Sequence, residues 1–62
     1  MKTIRRNYNK GNVSVYVDKT PNNTRTAIAI CRKAKREAGK EVKSVTIFAK
    51  CGHGYNRVFK LA

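Results

Sequence analysis

The stretch Pro21–Gly39, PNNTRTAIAICRKAKREAG, decides the fold, because the spacing of the apolar residues changes here. Just upstream, in VSVYV (Val13–Val17), three valines alternate with Ser14 and Tyr16, the period of a half-buried strand. From about Pro21 to Ala38 the spacing is helical: Ala27, Ile30, Cys31, Ala34 and Ala38 fall on one stripe at i, i+3, i+4, i+7 and i+11. Arg25, Arg32 and Arg36 take the opposite face, separated by Ala29. Thr20 before Pro21 fits an N-cap followed by a first-turn proline, with Asn23 or Thr24 as alternative caps. Gly39 stands where a glycine should end the helix. Faces so different in kind predict a helix laid on a sheet.

Outward from the helix the remaining pieces read as strands. TIRRNY (Thr3–Tyr8) is a short one, and NKGN (Asn9–Asn12) after it holds residues that tolerate the positive φ of hairpin turns. After the helix, SVTIFAK (Ser44–Lys50) alternates Val45, Ile47 and Ala49 against Thr46, Phe48 and Lys50, and YNRVFKL (Tyr55–Leu61) makes a final strand. The predicted fold is α+β: one domain over residues 1–62, with a small single-layer antiparallel-type sheet in the order strand-strand-helix-strand-strand and the helix packed on one face. A three-residue loop, Gly52–Gly54, would pair Ile47 with Phe59 and Val45 with Leu61 on the helix side. A two- or four-residue loop would instead put Phe59 on the face of Phe48, since a slip of one residue reverses every side chain. The three-residue loop is the expected one because it buries the apolar residues better.

The segment KCGHGYNRVFK (Lys50–Lys60) holds the one histidine, His53, bracketed by glycines. Structural zinc needs four ligands in closely spaced pairs, and only Cys31, Cys51 and His53 are on offer, with Cys31 on the apolar helix stripe. A Cys51–His53 nucleophile pair lacks an orienting third group, and Asp18, Glu37 and Glu41 are the only acids, too scattered for acid–base work. The sequence therefore predicts no catalytic residues, no metal and no cofactor. It predicts a hairpin tip, with His53 placed to donate a hydrogen bond to a phosphate.

Charge supplies the partner class. Fifteen Lys and Arg against three acids give a net charge of +12 on 62 residues. Such an excess repels itself, and a polyanion relieves that repulsion. A core this small leaves little room for a deep pocket, and dimerisation is one way to bury more surface. No run approaches the roughly 20 apolar residues of a membrane span, and no apolar signal core follows MKTIRRNYNKGN. The expectation is a complete, soluble, cytoplasmic chain with reduced thiols, nucleoid-associated or, if viral, in the host cytoplasm.

If the valines of Val13–Val17 point at the helix, Tyr16 joins Phe48 and Lys50 on an exposed, aromatic, basic sheet face. Aromatics of this kind stack on unpaired bases or form a dimer interface, and the two uses are compatible.

Over Val15–Gly54, VYVDKTPNNTRTAIAICRKAKREAGKEVKSVTIFAKCGHG, the chain resembles the Alba family of small basic chromatin and RNA-binding proteins. A strand, a Lys-x-Pro loop into a helix, and VTIFAK running into a glycine turn carry the likeness, although a turn stands where the family has a second helix. The resemblance implies that Lys19 contacts nucleic acid. In size and charge the chain also resembles small early proteins of bacteriophages, many of which bind host nucleic acid or host proteins.

The leading expectation is a non-enzymatic nucleic-acid-binding protein, for DNA or RNA, that contacts mainly phosphates with low sequence specificity. No helix-turn-helix, zinc-finger or basic-zipper pattern is present to read bases in a groove. Arg5, Arg6, Lys10, Lys19, Arg25, Arg32, Arg36, Phe48, Lys50, His53 and Arg57 are the candidate contacts. The alternative is a basic protein that docks on an acidic host or partner protein and modulates it, steered by charge and held by an aromatic patch.

Overall fold

The computed structural model describes residues 3–61. They form an α+β fold of five elements: β1 (Thr3–Asn9), β2 (Asn12–Val17), α1 (Thr24–Ala38), β3 (Ser44–Cys51) and β4 (Gly54–Leu61). The strands make one sheet in the order β1-β2-β3-β4. Among the described residues no helix is long and apolar enough to cross a membrane.

The sheet is mixed, which corrects the expected antiparallel type. β1–β2 and β3–β4 are antiparallel hairpins, but β2 and β3 run parallel. The reason is the helix. Neighbouring parallel strands need a crossover of a dozen or more residues, and residues 18–43, with α1 inside them, supply it.

One face of the sheet packs on the helix. Val13, Val15 and Val17 of β2 and Val45, Ile47 and Ala49 of β3 are at most 3% exposed. They meet Ala27, Cys31 and Ala34 of α1, so small residues on the helix face larger ones on the sheet. Ile30, Ala38, Val42, Phe59 and Leu61 close the rim. The helix begins later than Pro21. Asn23 is the cap in place of Thr20, because its Oδ1 accepts a hydrogen bond from the Thr26 amide at 2.8 Å. Gly39 ends the helix with φ 63°, and Lys35 and Arg36 in the last turn suit the negative end of its dipole.

Both hairpins turn on two residues. Lys10 (φ 51°) and Gly11 (φ 88°) have the paired positive φ of a type I′ turn, flanked by Asn9 and Asn12. Gly11 is buried, its carbonyl accepts from the amides of Lys43 (2.6 Å) and Ser44 (3.3 Å), and a Cβ there would sit 3.0 Å from the Lys43 side chain. Gly52 (φ 58°) and His53 turn β3 into β4, closing the pair Cys51–Gly54. The expected three-residue loop is thus a two-residue turn, with Gly54 already in the strand. Even so, Ile47 pairs with Phe59 and Val45 with Leu61. A register shift between Ile47 and Phe48 leaves Val58 as an extra residue, and this bulge returns Phe59 and Leu61 to the helix side. β1 carries a similar shift at Ile4. Both edge strands are therefore bulged and basic, features that discourage edge-to-edge pairing.

Candidate functional site

The open face of the sheet is built from residues out of phase with the core. In-register pairing lines up Arg5 of β1, Tyr16 of β2, Phe48 of β3 and Arg57 of β4 as one row across all four strands. Two rings stand at the centre and a guanidinium at each end. The Tyr16 and Phe48 rings are stacked, with centroids 5.1 Å apart and planes 16° apart. That separation is close to the ~4.8 Å strand spacing, so each ring stands over its own strand. Arg5 lies over Tyr16, its Cζ 4.6 Å from the ring centroid. Tyr55, opposite Lys50, meets Tyr16 edge-to-face, with centroids 4.9 Å apart and planes at 78°. The adjacent row, Asn7, Ser14, Thr46 and Lys60, is polar and adds another cation.

The candidate contacts do not all converge. Arg5, Phe48, Lys50 and Arg57 share the open face. Arg25, Arg32 and Arg36 form an exposed ridge on the helix, on the opposite side of the molecule. Arg6 pairs with Val15, so it points to the helix side, where it is ion-paired with Glu37. Lys19 and His53 emerge at one end of the sheet, since parallel β2 and β3 both finish there, and Lys10 tips the other end. Tyr55 and Lys60 also lie on this face, and neither was among the candidate contacts. Their strand carries its bulge between them, so alternation alone could not assign both to one face.

Around Arg6 and Glu37, β1 stands away from the helix. Clefts of about 220 and 360 Å³ flank the pair, over Val13, Val15 and Ala34. Tyr8 spans the gap: its hydroxyl donates to the Glu41 carbonyl at 2.9 Å, and Lys40 Nζ sits 5.0 Å from its ring centroid. The charges lining the clefts are Arg6, Lys33 and Glu37, with no carboxylate pair or nucleophile–base pair among them. Both cysteines are free, Cys31 buried and Cys51 exposed. Burial pushes the Cys31 thiol up, against a smaller opposing pull from Lys35, so it stays protonated as a small core residue. Among the described residues no three His, Cys, Asp or Glu side chains come together. Compared with known proteins, the chain matches no family model, no curated protein and no solved structure.

Proposed function

We propose that this chain is a non-enzymatic nucleic-acid-binding protein whose affinity comes mainly from phosphate contacts and whose sequence specificity is low. One observation carries the reading: a chain of net charge +12 leaves one whole sheet face uncovered, and that face combines rings with Arg5, Lys50, Arg57 and Lys60. Cations supply the sequence-independent attraction to phosphate, and the rings supply flat apolar surface where bases can lie. The strand residues on this face include no carboxylate to repel the ligand. The helix ridge adds to the attractive field from behind, and Lys19 and His53 extend the basic surface at one end. The likeness to Alba-type proteins over Val15–Gly54 favours the same partner class.

The test is the salt dependence of binding to generic DNA and RNA. Log K should fall linearly with log salt, with a slope near −0.7 per phosphate contact on single strands and about −0.9 on duplex. Weak binding, indifferent to ligand length and salt, would reject the reading and favour an acidic protein as the partner.

A further inference from the structure

We infer that the open face takes single-stranded nucleic acid, with Tyr55 stacking on an unpaired base while Arg5 and Arg57 hold the flanking phosphates. This rests on the nucleic-acid-binding reading above and names the ligand class.

Two features of the face lead there. The first is which ring is free. Tyr16 is enclosed: Arg5 lies over its ring, Phe48 is stacked with it, and Tyr55 meets it at 78°. Phe48 is half-buried beside it. Tyr55, on the edge strand β4, is 38% exposed and is the most open ring of this cluster. Tyr55 reaches across β3 from the edge strand to meet Tyr16, so Tyr16 is a positioning residue that fixes the Tyr55 ring, and Tyr55 is the contact.

The second feature is the order of groups across the sheet. From Arg5 to Arg57 the row crosses three strand spacings, about 14 Å. A polynucleotide lying across the strands would meet a cation, the ring cluster and a second cation in turn. A ring projecting from a sheet can stack only on a base that has left its partner. The helix, the element of a shape to enter a groove, is on the other side of the sheet. A duplex would therefore engage the cations and leave Tyr55 idle.

The experiment compares Tyr55→Ala with the wild-type chain by fluorescence anisotropy at fixed salt. The probes are a labelled single strand of mixed sequence, as DNA and as RNA, and the duplex of the same sequence. The expected result is a loss of roughly 5- to 150-fold on single strands, equivalent to the ~1–3 kcal/mol of one base stack, with little change on duplex. Tyr55→Phe should bind like wild type. The tighter of the two wild-type single strands identifies DNA or RNA as the ligand. If Tyr55→Ala unfolds, Tyr55→Leu, which keeps bulk and removes the ring, is read in its place. Unchanged single-strand binding, or equal losses on single strand and duplex, would overturn the stacking role and leave phosphate binding standing. If wild type bound none of the probes in a salt-dependent way, the function proposed above would fall first.

Discussion

The two faces of one sheet divide the molecule's work. On the covered face, β2 and β3 present Val13, Val15, Val17, Val45, Ile47 and Ala49, each nearly sealed from water by the helix. On the open face the same strands present Ser14, Tyr16, Thr46 and Phe48, all half-buried although no element lies over them. The rings are shielded by one another and by Arg5. The covered face is thus held by burial against a second layer, and the open face by contacts within one layer. Substitutions on the first should act through stability. On the second, charge should act through binding, and the enclosed ring through both.

The largest effect belongs to Ile47, fully buried at the centre of the covered face. Ile47→Ala should destabilise the fold by about 2–5 kcal/mol, read by urea unfolding. In so small a domain that is enough to leave much of the population unfolded. A loss below ~1 kcal/mol would mean that the helix is not seated on the sheet as described.

A charge comparison comes next. Arg5→Glu with Arg57→Glu reverses two charges on the open face, and Arg32→Glu with Arg36→Glu reverses two on the helix ridge. The change in net charge is the same. If the open face is the site, the first pair should lower the salt slope for single-stranded binding by about 1–2, one contact per arginine. The second pair, acting only through the general field, should weaken binding less and lower the slope by less than the first. The reverse ranking would move the site to the helix.

A third prediction concerns the enclosed ring. Tyr16→Ala removes two ring–ring contacts, worth about 0.5–1.5 kcal/mol each beyond area, and the seat of Arg5. It should lower the unfolding midpoint and weaken single-strand binding together, while Tyr16→Phe keeps most of both. Loss of binding with unchanged stability would make Tyr16 itself the contact.

The helix stripe and the alternation of Val13–Val17 and Val45–Ala49 were legible in the sequence because each period is local and each buried set is apolar. The long connection between strands should have signalled that β3 runs parallel to β2, since a crossover returns the chain to the same end. The phase of β4 was harder. Its two-residue turn and its bulge at Val58 each shift the register by one, and the shifts cancel by Phe59. The pairing was therefore foreseen through a loop that does not exist. The candidate site was legible only in part. Tyr16 and Phe48 could be put on the open face from their own strands, but their contact depends on β2 lying beside β3 in register. Tyr55 lies before the bulge and Lys60 after it, so they reach one face despite their odd spacing.

The smallest effect probes the margin where the two faces meet. β1 is exposed along its whole length, and Arg6 reaches from it to Glu37 on the helix, with the two side chains 42% and 39% exposed. Exposed pairs of this kind are worth about 0.2–1 kcal/mol, and salt screens them. Removing Arg6 alone confounds two effects: it breaks the pair, and it also relieves repulsion in a chain that carries +12. A double-mutant cycle with Arg6→Met and Glu37→Gln separates them, because the general charge effect of each single change largely cancels. The coupling should be below about 1 kcal/mol at low salt and should vanish at high salt, measured as differences in unfolding free energy. A coupling well above that, and indifferent to salt, would mean that β1 is clamped to the helix as firmly as β2 and β3 are packed beneath it. The covered face would then extend across all four strands, and the clefts beside Arg6 would belong to the core.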